Sequence, residues 1–383
     1  MKFRNPPTMV AVASLGLLAG GAASAEHAID LRGGFGYDTN PFELNEIVGK
    51  REGIFAELEA QVSAEGLASK GWRKRADIGA SGRLFETGMT DANEGRIYVR
   101  ARGDANEQPT EHGWDWSLRS RARDTTYVSR LTGLEATDDV GNPIGNRFDN
   151  MEGDFEAGWH FPRKKFGRIT VQGTFSYKDY LEDYENLGLD RLDHFQYGIA
   201  PQYELDQRDS NVRVRLRLEE RKYQDRRVSD VAGNPVPGTD LEYRYYAAEV
   251  RYQRRLSRRN SIEWNGEYEL REDNGVGFAD RTRWDTSIEW TYQPKDKSRL
   301  SAELQYSSRT FDLQTVGDPT INDETPDKKG FDVSIKYARP FPFLDIRGFS
   351  LVAEAGWESF DNSRDIRYAY DRLVGFLGVR QEF

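Results

Sequence analysis

Arginine at every second position is the most chemically suggestive feature of this sequence. Arg73, Arg75 and Arg83 form one set, Arg96, Arg100 and Arg102 a second, Arg119, Arg121 and Arg123 a third, and Arg213, Arg215 and Arg217 a fourth. Side chains two residues apart on an extended chain share a face, and guanidinium groups bind anions by charge and by paired hydrogen bonds. Carboxylates gather elsewhere, at Glu57, Glu59 and Glu65, at Asp154 and Glu156, and at Glu263, Glu267 and Glu269. Facing each other across water, such sets make a transverse field that orients and selects charged or polar solutes. Lying side by side, they pair and stiffen the wall that carries them. Pairing is the expectation for strands two and three, where Glu57, Glu59 and Glu65 lie beside Arg73, Arg75 and Arg83. A pore field is the expectation for the three successive arginine-bearing strands, because like charges side by side cost stability without an anionic partner.

Other chemistries lack their residues. The 383 residues include no cysteine, which removes disulfides, thiol nucleophiles and thiolate metal sites. The four histidines, His27, His112, His160 and His194, suggest no zinc cluster, and no cofactor is expected. His160 and His194 fall on inward faces, with no Ser or Asp beside either at a telling spacing, so catalysis is not expected. A net charge of -10 argues against nucleic acid as a partner.

The elements that must carry these side chains alternate with period two. Val212 to Glu219 is apolar on even numbers and charged on odd, and Ile262-Trp264-Gly266-Tyr268-Leu270 is opposed by Glu263, Glu267 and Glu269. Sixteen strands are predicted, near 27–37, 53–65, 72–85, 95–104, 114–127, 148–161, 166–180, 192–205, 211–223, 241–255, 261–271, 281–293, 298–311, 330–339, 347–360 and 367–383. A soluble sandwich would bury the apolar face against a second sheet. Three features point instead to an all-β, single antiparallel transmembrane barrel of 14–18 strands. Aromatics such as Trp114, Trp116, Tyr268, Trp284, Trp290 and Trp357 sit near the ends of apolar stripes. The strands are long enough to cross a bilayer at a tilt. Short turns alternate with the long stretches 128–147, 224–240 and 312–329, as in barrels with a periplasmic and an external side. Loop 128–147 either folds inward as a constriction or projects outside, and the sequence leaves both open.

Residues 1–25 read as a cleaved export signal: Lys2 and Arg4, an apolar stretch from Met9 to Ala23, then Ala23-Ser24-Ala25. Residues 26–383 are then the barrel domain, in the outer membrane of a Gram-negative cell, with outer-membrane lipid around it. At the other end Leu377, Val379 and Phe383 share a face. This pattern resembles the carboxy-terminal signature that outer-membrane barrels present to the barrel assembly machinery, with Gln381 as a departure from it.

The first strand runs Gly33-Gly34-Phe35-Gly36 into Tyr37-Asp38-Thr39-Asn40-Pro41. This resembles the outer-membrane β-barrel porin family associated with capsule and exopolysaccharide systems. The resemblance implies a conduit for export of a capsular or exopolysaccharide, fed by periplasmic polysaccharide-export components. Inward aromatics for sugar stacking would be Phe85, Tyr98, Tyr245, Phe376 and Tyr370. Two alternatives stand beside it: a passive porin for small polar or anionic solutes, resting on the arginines, and a structural or partner-recruiting barrel without an open pore.

Overall fold

The computed structural model describes residues 25–44, 48–69, 72–105, 112–129, 134–138, 141–161, 167–181, 192–232, 234–311, 328–341, 348–362 and 369–383. The expected export signal at 1–25 lies outside these residues, apart from Ala25. Sixteen strands follow in order: β1 (Ala25–Asp38), β2 (Gly53–Ser69), β3 (Trp72–Phe85), β4 (Glu94–Ala105), β5 (Gly113–Thr125), β6 (Asn150–His160), β7 (Arg168–Tyr180), β8 (His194–Asp206), β9 (Ser210–Tyr223), β10 (Glu242–Arg255), β11 (Asn260–Asp273), β12 (Arg281–Tyr292), β13 (Arg299–Phe311), β14 (Lys328–Pro340), β15 (Phe349–Asp361) and β16 (Tyr370–Glu382). Each pairs antiparallel with its sequence neighbours, and β1 pairs with β16 to close the barrel. Closure leaves no sheet edge, so every strand's backbone groups are satisfied inside lipid.

The alternation fixes the register. Across β9 and β10, Val214 opposes Val250 and Leu216 opposes Ala248 on the outer face, while Arg215 opposes Glu249 on the inner. A slip of one residue would turn Arg213, Arg215, Arg217 and Arg251 into lipid. The outer belt is apolar, with Leu58, Ile97, Phe175, Ile199, Leu218 and Leu377 among its exposed side chains. Aromatic girdles bound it: Trp114, Trp159 and Tyr203 toward one end, Tyr37, Tyr197 and Trp284 toward the other. The outer surface is that of a transmembrane barrel, and the polar face is the lumen.

The connections alternate in length. At the end that holds both termini lie 207–209, 256–259 and 293–298, and at the other end 39–52, 126–149 and 224–241. These are called the turn end and the loop end below; in an outer membrane they are the periplasmic and external sides. In the turn at 293–298, the Asp296 carboxyl is held below the ordinary range by hydrogen bonding to Ser298, whose N–H it accepts at 3.1 Å.

Glycines at the β1–β16 seam have a packing reason. A Cβ on Gly36 would strike the Phe55 ring and the Gly375 carbonyl, and one on Gly34 the Leu377 carbonyl and the Phe376 ring. Bare backbone there lets two large rings lie flat over β1 inside the lumen. Phe55, Phe85 and Phe376 join Phe42, Leu44, Met89, Val128 and Val352 in an apolar cluster near the loop end. Phe42 and Leu44 come from connection 39–52 and Val128 from connection 126–149, so both connections fold into the mouth. In the second of them Ala136 and Ile144 are also buried, and Ala136 is hydrogen-bonded through its backbone to Tyr127 and Ile144 of the same connection. Connection 312–327 lies outside the described residues.

Candidate functional site: the charged lumen

The lumen is built from the inward positions of all sixteen strands, so its chemistry depends on which arginines are already satisfied. On β3 to β5 most are. Arg83 donates to Glu57 at 2.8 Å, the pairing expected between strands two and three. Arg75 meets Asp77 at 2.9 Å, and Glu94 is shared by Arg96 and by Arg123 at 3.0 Å. Arg121 reaches Glu152 on β6. Arg73 also faces the lumen near the turn end.

Arg100, Arg102 and Arg119 differ. All three are exposed to the lumen at mid-height, and Arg100 lies directly opposite Arg119 on the neighbouring strand. Arg102 lies opposite Arg75. Arg100 stacks over the Tyr98 ring at 4.9 Å, but among the described residues none of the three has a carboxylate within ion-pair distance.

The fourth set, on β9, is heavily paired. Arg217 is a hub: it contacts Glu219 at 3.0 Å, Glu267 at 2.8 Å, Glu269 at 3.5 Å and also Glu249. Glu269 in turn binds Arg281 at 2.7 Å, with both side chains only 6% exposed. Arg215 lies between Glu249 at 3.8 Å and Glu156 at 3.7 Å, and Arg213 is 3.9 Å from Glu204. The Arg215–Glu156 contact joins β9 to β6. Two intervening inward positions on β8, Gly198 and Ala200, are small enough to let the long side chains meet over them.

The result is an uneven ring of charge. β4 and β5 carry exposed arginines, whereas on β11 and β12 Glu263, Glu267, Glu269, Asp285 and Glu289 are each paired with an arginine, and Arg271, Arg281 and Arg283 share their face. Strands six to eight places apart in a sixteen-strand ring lie on opposing walls, so the unpaired arginines face a wall whose charges are mutually satisfied. A wide lumen lined by half-exposed charges is filled with water.

The inward aromatics are placed as expected, but most are not free to stack on a sugar. Tyr245 is 4% exposed in a cluster with Tyr223, Tyr243, Val228 and Leu241, and Phe85 and Phe376 belong to the cluster at the mouth. Tyr98 donates to Gln61 at 2.7 Å and Tyr370 to Glu358 at 2.8 Å. Tyr243 and Tyr223, and Phe55 at the mouth, were readable as inward from the same alternation and are the missed members.

The histidines need one revision. Sequence spacing puts no acid beside His160, yet the barrel brings Asp115 to 3.6 Å from Nε2 and Thr170 to 2.8 Å from Nδ1. The trio resembles a nucleophile–base–acid line, but Thr170 is 1% exposed and no substrate carbonyl could reach its hydroxyl. His194 Nδ1 contacts the Leu192 carbonyl at 2.8 Å.

The motif at 37–41 has a definite job. Arg372 on β16 donates to both oxygens of Asp38, Nε lying 3.0 Å from each. Asn40 donates its amide to Leu44 O at 2.7 Å and to Asp371 O at 3.1 Å, and its Oδ1 accepts the Leu44 N–H at 2.8 Å. The segment is thereby tied to β16 and aims Phe42 and Leu44 inward. At the far end of β16, Leu377, Val379 and Phe383 all face outward, and Phe383 exchanges backbone hydrogen bonds with Ile29.

No family model matches the chain, and no curated protein matches it. Several hundred solved chains do. In-vitro folded OmpT, an outer membrane protein of Vibrio cholerae, is 11% identical, with 94% of this chain and 97% of that one covered at a TM-score of 0.48. An anion-selective porin from Comamonas acidovorans is 10% identical, covering 94% and 99% at 0.44. A bacterial polysaccharide outer membrane secretin is 7% identical, covering 93% and 98% at 0.43.

Proposed function

We propose that the chain is an outer-membrane channel whose lumen passes anionic solutes. The observation that carries this reading is the group Arg100, Arg102 and Arg119, exposed at mid-lumen with no carboxylate in ion-pair distance. Like charges on adjacent strands repel, Asp77 opposite Arg100 and Asp154 opposite Arg119 stay outside ion-pair distance, and a mobile anion in a wet lumen supplies the further relief. Charge-reversal tests it. Arg100→Glu/Arg119→Glu should turn an anion-preferring reversal potential in a planar bilayer toward cations, and unchanged selectivity would contradict the reading.

A second reading is an export conduit for an acidic capsular or exopolysaccharide, with periplasmic export components at the turn end. The lumen's inward arginines continue over much of its height, from Arg213 near the turn end to Arg221 near the loop end, which suits a polyanion. Recognition would run through guanidinium–carboxylate contacts, since the buried rings offer little stacking surface. Block of ion current by an acidic but not a neutral oligosaccharide supports export. Indifference to both leaves the porin for small solutes, and absence of any conductance leaves the structural barrel.

A further inference from the structure

Three clefts follow one another along the inner wall, two between β8 and β13 and the third reaching back to β5. The first, about 550 Å³, lies at the turn end between residues 206–211 and 255–261. Asn211, Gln253, Ser261 and Thr291 line it from inward positions, so it opens onto the lumen. The second, about 410 Å³, holds Arg213, Arg251 and Arg283, and the third, about 680 Å³, holds Arg119, Arg217 and Arg309. The second and third share Arg215, Arg283, Glu249 and Glu267. The first meets the second through Asn211 and Arg213 on β9 and through Gln253 and Arg251 on β10, each pair being neighbours on the inward face.

The two ends of this path carry opposite charge. Among the described residues of the turn-end connections, Arg208, Arg258, Arg259, Lys295 and Lys297 stand against Asp209 and Asp296. Arg208, Arg255, Arg258 and Arg259 line the first cleft and are exposed, with no carboxylate within ion-pair distance among the described residues. The described loop-end connections carry twelve carboxylates and five basic side chains. They also hold the two apolar clusters, with Phe42, Leu44, Val128 and Val228 folded toward the axis.

We infer that the turn-end cleft is the capture vestibule of the anion path and that the channel is electrically poled along its axis. Anions enter faster from the turn end, the periplasmic side, than from the loop end. This rests on the anion-channel reading above and adds to it an entry side. Fixed charges set no net direction, because flux follows the gradient; they set how well each mouth supplies its ions. When voltage drives anions from the turn end and cations from the loop end, each ion enters through the mouth that concentrates it. Under the opposite voltage both mouths are depleted. Substrates that arrive from inside the cell as anions are therefore the class best served.

The test is the current–voltage curve of the full barrel in a planar bilayer. Orientation is read from a biotin on Val231→Cys, an exposed loop-end position, with streptavidin added to one side. At 0.1 M KCl, where screening acts over about 10 Å, current with anions driven from the turn end should exceed the reverse by at least about twofold. At 1 M, where it acts over about 3 Å, the ratio should approach one. Arg258→Glu/Arg259→Glu, on exposed turn positions, should bring the 0.1 M ratio close to one while the reversal potential stays anion-preferring. Arg208→Glu, singly, should move it the same way. A symmetric wild-type curve at 0.1 M, or a ratio that neither variant changes, overturns the inference. A wild-type reversal potential of cationic sign instead overturns the anion-channel reading on which it rests.

Discussion

Removing the Asp38 carboxylate should release the segment 39–52 from the lumen wall. Asp38 is fully buried and receives both Nε and Nη2 of Arg372, while accepting the Asn40 N–H at 3.0 Å. Breaking a buried ion pair costs about 3–5 kcal/mol, and the Asn40 bond adds about 1 kcal/mol. Arg372 is partly exposed and keeps Glu358 at 3.8 Å, which moderates the first figure. A net effect of about 3 kcal/mol on the pinned state is reasonable for Asp38→Ala, or about a hundredfold in the open population at 1.4 kcal/mol per decade. Lys50 and Arg51 lie in the same segment, and Arg51 donates to Gly88 O at 2.7 Å when the segment is docked. Trypsin cleavage after Lys50 and Arg51, followed by mass spectrometry on the folded barrel, reads the open population when closing is faster than cutting. Arg372→Ala should give a similar acceleration, and the double variant little more than either single, a coupling of about 2–3 kcal/mol. Acceleration below about threefold, or effects of the two changes that simply add, would refute the pin.

Asn40→Ala removes three hydrogen bonds from a fully buried amide and should expose the same tryptic sites, with a loss of about 2–3 kcal/mol in reversible unfolding into detergent or lipid. Arg281→Met leaves Glu269 buried without that partner and should destabilise the barrel by about 3 kcal/mol in urea titration, whereas Arg281→Met with Glu269→Leu should recover much of it. Gly36→Val forces a side chain into the Phe55 ring and the β16 backbone, and should abolish the heat-modifiable folded band on gels. The Asp296 carboxyl has a lowered folded-state pKa, so its contribution is present above the unfolded value of about 3.9 and fades as pH falls through the folded one. Amide exchange at Ser298, whose N–H it accepts at 3.1 Å, should stay protected at pH 4.5 and lose protection only in stronger acid.

The barrel was legible because lipid on one side and water on the other impose the same two-residue period on every strand. The predicted strand starting at 211 begins at Ser210, and the one ending at 271 runs on to Asp273, differences expected of hydrogen-bonded ends that fray. The lumen was legible only as a list of inward side chains. Which arginines are neutralised depends on closure and register: Arg215 meets Glu156 from three strands away, and Arg32 meets Glu354 on β15 across β16. No spacing in a linear sequence encodes those contacts. The same holds for Asp115, His160 and Thr170, drawn together from β5, β6 and β7. The motif at 37–41 was legible as a strand-ending turn, whereas its anchor, Arg372, lies at the opposite end of the chain and becomes a neighbour only when β1 pairs with β16.

The most direct test of the account is the zero-current potential of the purified wild-type barrel in a planar bilayer under a tenfold KCl gradient. The exposed Arg100, Arg102 and Arg119 predict a sign set by chloride, with the preference shrinking as total salt rises and the guanidinium field is screened. A potassium-preferring sign, or a preference indifferent to salt, would contradict the claim that these arginines define the path.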